Sequence, residues 1–416
     1  MVAKRAVVIG AGMIGLMTAY YLQGYGLDVT VVDAGEPGMG CSFGNAGFIC
    51  PSLSAPLPGP GLVLQSLLWA LRGDSPLYIK PQALPRLLPW LLRFWGHCNE
   101  SEQDAGLAAM LAFNLRTVEL FDRLRADGVV FEMHEEGLLV AFLDEQGLQR
   151  EFAELRKIER HGFPAPQRLD RDAAQALESN LSDRVVGGVL LPAERHVQPR
   201  SLSLGLMRHL EQAGVEFRAN TRVDGLDLRD GKIAAATARG EGIGGDLFVL
   251  TAGVWTRQLA AMANVRLPLE AGKGYSVTLP APGEPFRHAL YFGDTKVVLS
   301  QYRDEVRIAG TMEFSGYNTT LDAKRVHGLR KAAARYLRAL PDERGQAWTG
   351  MRPMTPDGLP VIGRLPGVEN AFVSTGHSMN GVFMAPVSGE ALAELILDGK
   401  TRADIGAFDP RRFVRH

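Results

Sequence analysis

The sequence predicts an α/β protein of two domains, one of them a parallel-stranded domain assembled from separate stretches of chain. Three observations carry this. A glycine-spaced strand–turn–helix–strand unit opens the chain, a strand ending in small residues lies near residue 250, and a second strand–loop–helix unit lies near the C-terminus. At 416 residues the chain can bury a large core and exceeds the usual size of one domain.

The opening unit reads RAVVIGAGMIGLMTAYYLQGYGLDVTVVDAG. Two basic residues, Lys4 and Arg5, precede an apolar run, which is also how an export signal begins. Spacing argues for the other reading. Gly10, Gly12 and Gly15 fall as G-x-G-x-x-G behind a β-branched strand and open a helical stretch from Met13 to Tyr25. A second strand, Asp28 to Val32, then ends in Asp33. Each part has a mechanical reason. Gly10 permits the turn, Gly12 lets backbone approach a pyrophosphate, and Gly15 lets the helix pack close to the sheet. The helix N-terminus offers free N–H groups and a positive dipole end to phosphate. Asp33 can accept from a ribose hydroxyl, and its charge repels the 2′-phosphate of NADP. The unit reads as a Rossmann-like dinucleotide cradle.

Composition narrows the class. Hydrophobic residues make up 46% and charged residues 22%, as in globular proteins. The net charge is −1 with no basic tail, which argues against nucleic acid as a partner. The three cysteines, Cys41, Cys50 and Cys98, show neither metal spacing nor a disulfide framework, and the nine histidines form no ligand pattern. No metal is expected, and a reducing cytoplasm fits.

Residues 62–96 are strongly apolar and hold Trp69, Trp90 and Trp95. Arg72, Asp74, Lys80, Arg86 and several prolines interrupt the run, so it falls short of the ~20 residues that span a bilayer. Two readings stay open: a pair of helices packed over a substrate domain, or a surface that touches a membrane or a partner.

The middle alternates. A helical pattern covers 99–127, short strands follow at 129–133 and 138–142, and a charged helix is expected over 145–160. Another helix follows His196–Arg200 and ends near Ala213. The stretch DLFVLTAG at 246–253 reads as a strand that returns to the nucleotide sheet, or as a strand with a plain turn glycine. Near the C-terminus, WTGMRPMTPDGLPVIG places Arg352 between a glycine turn and a proline. Its planar fork suits a carboxylate ligand or an ordinary salt bridge. FVSTGHSMNGVFMAP then leads from a strand through a loop into a helix expected from Val387 to Leu397, with Pro386 near its first turn and Gly399 closing it. That start is a second positive dipole end, suited to the negative charge a reduced flavin carries. Two such helix starts and a mid-chain return suit an extended FAD better than NAD.

With these stretches in view, the chain resembles the flavin-dependent D-amino-acid oxidase superfamily, most closely its bacterial D-amino-acid dehydrogenase branch. The carriers are VVIGAGMIGLMTAYYL with Asp33, CSFGNAGFICPS at 41–52, FVLTAGVW at 248–255, GKGYSVTL at 272–279, WTGMRPMTPDGLPVIG and TGHSMNGVFMAPVSG. The resemblance spans nearly the whole chain. It implies a discontinuous Rossmann-like FAD-binding domain (1–60, 145–262 and 346–416) and an α+β substrate-binding domain (61–144 and 263–345). It implies cofactor contacts from Gly10, Gly12, Met13, Ile14, Gly15, Asp33 and Ala34, then from Cys41, Ser42, Asn45, Ala46 and Gly47. Val223 would touch the adenine end. Ala252, Gly253 and Trp255 would follow, with Arg352 and the loop of Gly376, Ser378, Met379, Asn380 and Gly381. Arg352 would bind the substrate carboxylate. Tyr275 would be a second substrate contact or a core tyrosine, and His377 a base or a loop residue.

Departures qualify this. Glycine-oxidase relatives carry an arginine near the position of Met379, and its absence implies a more apolar pocket. Sarcosine-oxidase relatives carry flavin on a cysteine near the position of Arg352. No cysteine lies near it in this sequence, so the FAD is expected to be noncovalent. The implied reaction moves hydride from Cα of a D-amino acid to flavin N5, with D-proline or hydroxy-D-proline favoured. Electrons would pass to a membrane quinone or another non-oxygen acceptor, with peripheral docking of 62–96 on the inner face of the cell membrane. Alternatives are an FAD-binding subunit of a multi-subunit dehydrogenase, an oxygen-using oxidase of the glycine or sarcosine type, and an NAD-dependent dehydrogenase.

Overall fold

The structure, a computed structural model, describes residues 4–62 and 77–414. Its first body is built on a six-stranded sheet in the order Glu216–Arg218, Asp28–Val32, Arg5–Ile9, Leu247–Leu250, Ala371–Thr375 and Val361–Arg364. All pairs are parallel except the last. Strands buried on both faces read as continuous apolar runs, and here they do. Ala6 and Val8 face one layer while Val7 and Ile9 face the other. On the first side lie the helices Met13–Gly24, Pro199–Gln212 and Gly381–Asp398. On the second lie a three-stranded antiparallel sheet (Gly225–Arg229, Lys232–Ala238, Glu241–Gly244) and the helix Thr256–Met262.

The second body is a nine-stranded mixed sheet. It runs Gln346–Met354, Glu270–Pro280, Glu305–Phe314, Val297–Gln301, Ala289–Phe292, Leu138–Phe142, Gly187–Leu191 and Gln167–Asp170, and Leu77–Ile79 pairs alongside Glu305–Phe314. Helix Ala323–Ala333 covers one face through Leu329 and Ala333. The opposite face receives the loop at 41–47, whose carbonyls accept from Ser300 and Arg307.

Several elements differ from the sequence reading. The pattern at 99–127 is two helices, Glu100–Asn114 and Thr117–Ala126. The first is capped by Asn99, which accepts from the Glu102 N–H at 3.0 Å. The helix at 145 ends at Leu155 and tightens into a 3₁₀ turn, Arg156–His161. Strands Gln167–Asp170, Gly187–Leu191 and Gln346–Met354, read into the nucleotide domain, pair within the second sheet. A local strand pattern carries no record of which distant strand it will pair with, so such boundaries follow from long-range register. The last long helix begins at Gly381, six residues before the expected start. Pro386 therefore lies inside it, where its ring removes one intrahelical donor.

Of the apolar stretch, residues 63–76 lie outside the described residues, with Trp69 and one of the two expected helices. Leu84–Gly96 is a helix. Leu87 and Trp90 pack on Met312, Phe314 and Met354, and the Trp90 indole donates to Pro268 O at 2.9 Å. Leu84, Leu88, Leu92 and Trp95, at 46%, 50%, 57% and 61% exposure, form a stripe on the other side. Among the described residues no helix is long and apolar enough to cross a membrane.

The helix–sheet contact at Gly15 has no slack. A Cβ there would fall 1.8 Å from Gly10 O, whereas one at Gly24 of the same helix meets nothing within 4 Å. Gly15→Ala should therefore destabilise the protein by about 3 kcal/mol, while Gly24→Ala should be neutral or stabilising by up to about 1 kcal/mol. Denaturant melts of the two variants check this, and equal midpoints would refute it.

Candidate functional site

The carboxyl ends of the parallel strands open on a cavity of about 440 Å³. Open α/β sheets bind ligands at such ends. At its floor the three glycines take separate roles. Gly10 has φ +113° and turns the chain where a Cβ would strike the Ala252 backbone at 2.7 Å. Gly12 faces free space, with only Ser42 Oγ at 3.8 Å from its would-be Cβ, and Gly15 is the packing contact. Thr251 locks the turn by donating to Gly10 O at 2.9 Å. The sequence reading missed Thr251, although the stretch FVLTAG that holds it was legible. The Met13 N–H of the first helical turn donates to Ser42 Oγ at 3.1 Å.

Asp33 has a structural task as well as the expected one. Its Oδ2 accepts from the Ala11 N–H at 2.7 Å and its Oδ1 from the Gly35 N–H at 2.8 Å. Burial pushes its pKa above the ordinary value, against these two bonds. Lone pairs remain on both oxygens for a ribose hydroxyl.

Most sequence-predicted residues meet in this wall. Gly10, Gly12, Met13, Ile14, Asp33 and Ala34 line one part; Cys41, Ser42, Asn45 and Val223 another; Ala252, Gly253, Trp255, Arg352, His377, Ser378 and Gly381 complete it. Gly15, Ala46, Gly47, Gly376, Asn380 and Met379 stand outside it, and Met379 is 45% exposed. Thr221, Arg222, Gln258, Met262 and Met351 also line it and were not foreseen. The long helix starts at the cavity, with Gly381 and Val382 in the wall, so its positive dipole end faces the space.

Arg352 decides the chemistry. Its side chain is half-buried in the cavity wall, and desolvation lowers its pKa to about 10. Nη1 donates to Thr311 O at 2.7 Å. A Cβ on Gly274 would sit 2.3 Å from its Cζ, so Gly274 makes the room it occupies. Among the described residues no carboxylate lies within ion-pair distance of Arg352. The ordinary salt bridge is thus ruled out, and a half-buried cation without a partner is costly unless an anion arrives.

Two expectations change. Tyr275 pairs with Thr349, and Arg352 with Gly272, so the two side chains leave the strand pair on opposite faces. Tyr275 donates to Glu313 Oε2 at 2.7 Å and packs among Val277, Leu329 and Ala333. It is a core tyrosine held in a buried network with Lys273, and it does not reach the cavity. His377 lines the cavity, but its Nε2 bonds Ser388 Oγ at 3.0 Å and burial lowers its pKa to about 3. It is neutral and a poor base. The sequence shows no cysteine beside Arg352, yet the fold brings one: Cys41 Sγ accepts the Met351 N–H at 3.3 Å. Burial raises its pKa, which keeps it a thiol.

The comparisons with known proteins agree with this geometry. A family model described as DAO, FAD dependent oxidoreductase, matches residues 5–395. A D-amino acid dehydrogenase from Xanthobacter autotrophicus is 33% identical over 414 residues, covering 97% of each chain. One from Bradyrhizobium diazoefficiens is 30% identical over 419 residues, covering 99% of each. The structure of L-proline dehydrogenase from P. horikoshii superposes with a TM-score of 0.79 at 21% identity, covering 99% of this chain and 98% of that one. At that identity it speaks for the fold. The residues present fit FAD: an open glycine at a free helix N-terminus for the pyrophosphate, an acid for the ribose, and a second helix start at the other end of the wall.

Replacing Arg352 separates its two effects. Arg352→Met should lower kcat/KM for a carboxylate-bearing substrate by roughly 10²–10³-fold, the loss of about 3–4 kcal/mol. The same change should raise the melting temperature of the substrate-free protein, because an unpaired half-buried charge is gone. A variant with lower stability and intact kinetics would contradict both statements.

Proposed function

This chain belongs to the DAO family of FAD-dependent oxidoreductases, and on that premise we propose that it dehydrogenates a D-amino acid, D-proline or hydroxy-D-proline foremost, and delivers the electrons to a quinone-type acceptor. The observation that carries the reading is Arg352, a half-buried cation in the cavity wall without a protein anion. It answers to a small carboxylate. The D configuration rests on the relatives named D-amino acid dehydrogenase at 30–33% identity over nearly full length. The proline preference rests on the wall beside Arg352. Cys41, Met351, Pro353, His377 and Ser378 offer neutral or apolar surface there, and nothing in that set would pair with a charged side chain.

When bound, FAD supplies the two-electron acceptor for the hydride leaving Cα. The chain's residues do the rest. Arg352 holds the substrate carboxylate, and Thr311 O fixes the guanidinium at 2.7 Å. Gly274 leaves the space that lets the guanidinium lie flat against the strand. The N–H groups at Gly381 and Val382 hold a positive end toward negative charge gathered in the cavity. His377 is too weak a base to take a proton, so the substrate amine enters already neutral and its lone pair assists. The thiol of Cys41 stays protonated, which supports noncovalent attachment of the cofactor.

Anaerobic addition of D-proline to the purified yellow protein should bleach the flavin band. Colour should return faster with a soluble quinone than with air, and acid precipitation should leave a colourless pellet. A flavin that stays oxidised with D-proline but bleaches with other D-amino acids would overturn the substrate. Fast return in air would overturn the acceptor in favour of an oxidase.

The exposed stripe of Leu84, Leu88, Leu92 and Trp95 supports a membrane site for that acceptor. Lys80 and Arg93 lie in the same segment, Arg86 is paired with Glu270 at 2.6 Å, and residues 77–99 contain no acid. Leu88→Glu with Leu92→Glu should reduce co-sedimentation with anionic vesicles while D-proline bleaching persists. Unchanged co-sedimentation would remove this surface from the proposal.

A further inference from the structure

The loop at 41–47 belongs to the first body and forms part of the cavity wall, but its shape is held by the second. Arg307, on strand Glu305–Phe314, is buried. Its Nε donates to Thr278 Oγ1 at 3.0 Å and its Nη2 to Glu305 Oε1 at 3.1 Å. Its Nη1 donates to two loop carbonyls, Phe43 O and Asn45 O, both at 2.9 Å. The next carbonyl, Ala46 O, accepts from Ser300 Oγ at 2.6 Å and from the Tyr302 hydroxyl at 2.7 Å. The Tyr302 ring lies under Arg307, with Cζ 5.5 Å from its centroid. Three carbonyls of one irregular loop are thus drawn toward a single sheet by four hydrogen bonds, whose donors all lie at 300–307.

A trans peptide points its C=O and the following N–H in opposite directions, and among the described residues no peptide bond is cis. Drawing Asn45 O onto Arg307 therefore turns the N–H of the same peptide, that of Ala46, away from Arg307; Asn45, the other half of that peptide unit, lines the cavity, while Ala46 itself stands outside its wall. The neighbouring Gly47 N–H is already taken by Asn45 Oδ1 at 2.7 Å. The Ala46 N–H has no acceptor among the described residues. A fixed N–H with no protein partner is a donor prepared for a ligand.

We propose that Arg307, with Ser300 and Tyr302, is a positioning group for the flavin: it fixes the Ala46 N–H as a donor to the bound isoalloxazine, so that strands of the second body set how much more tightly reduced FAD is held than oxidised FAD. This rests on FAD lying in the cavity. Electrostatic preorganisation is the physical basis, since a donor held in place at the moment of reduction needs no reorganisation. Arg307 acts through the loop and touches no reacting atom. Glu305 answers its charge at 3.1 Å, so its effect passes through the carbonyls rather than through a bare positive field.

The test is the reduction potential of the bound FAD by dye equilibration, together with the FAD dissociation constant of the apoprotein. Melting temperature serves as the fold control. In Arg307→Met the preference for reduced over oxidised FAD should fall about tenfold, which lowers the two-electron potential by about 30 mV. Ser300→Ala and Tyr302→Phe should each move it a smaller amount in the same direction, and their combination further. Arg307→Lys, which keeps one donor, should recover part of the loss. Should Arg307→Met fail to fold, the Ser300 and Tyr302 variants carry the test. Folded variants whose potential equals that of the parent, with or without weaker FAD binding, would overturn the proposal and leave these residues as interdomain packing. A parent protein that binds no FAD would instead sink the cofactor assignment.

Discussion

One half-buried positive charge organises the reacting end of this molecule. Arg352 lies in a strand paired with Glu270–Pro280 along its whole length, so its backbone cannot drift. Its guanidinium is half-buried at the cavity wall and answered within the protein by one carbonyl and one thioether, with Nη1 2.7 Å from Thr311 O and 3.7 Å from Met312 Sδ. Thr311 holds φ +60°, a strained backbone for a β-branched residue, and that strain is what aims its carbonyl. Such an arrangement costs stability in the free protein and is repaid on binding. A carboxylate entering the site forms charge-assisted bonds in a dry setting, where they are strongest.

The two bodies divide the work around that charge. Parallel strands leave their carboxyl ends, and hence the starts of the following helices, on one side of the sheet. The helices beginning at Met13 and Gly381 therefore both bring positive ends to the same cavity. These two helices pack directly on each other, and a Cβ on Gly389 would come within 2.8 Å of Met17 O, so neither can shift alone. The mixed sheet carries Arg352 and grips the loop at 41–47. The two parts of the cavity wall are thus coupled through backbone carbonyls, which transmit direction more faithfully than flexible side chains do.

How legible this was depended on the reach of each signal. Gly10, Gly12, Gly15 and Asp33 act within one local unit, so spacing alone foretold the turn at Gly10 and the close packing at Gly15, and the structure adds that Asp33 ties down Ala11 and Gly35. Arg352 was legible as a carboxylate fork, but its lack of an acid partner is a three-dimensional fact. Tyr275 stayed open between substrate contact and core because sequence alone does not name the face; a period of two puts it opposite Arg352, in the core. The strands Gln167–Asp170 and Gly187–Leu191 were placed in the wrong body because nothing local names their partners. Cys41 reaches the strand of Arg352 across 310 positions, a proximity no local pattern records. Pro386 suggested a helix start by habit of position, and the helix absorbed it instead.

The neutral side chains of the wall complete the logic. His377 and Cys41 line the cavity with Arg352, and burial drives them in opposite directions on the pH scale with one outcome. The imidazole loses its proton easily and the thiol keeps its own, so both stand uncharged near neutrality. Beside Arg352 the wall is thus neutral, and the other charges it carries, Asp33, Glu36 and Arg222, belong to the stretches at 33–36 and 221–223. On the reading proposed above, those neutral side chains leave the charge of Arg352 free to hold the carboxylate end of a substrate and offer no anion to an ammonium group. A protonated amine would have to shed its hydration without compensation, at a cost of several kcal/mol, whereas a neutral amine enters freely. On the same reading Cα releases hydride from the neutral amine without a dedicated base.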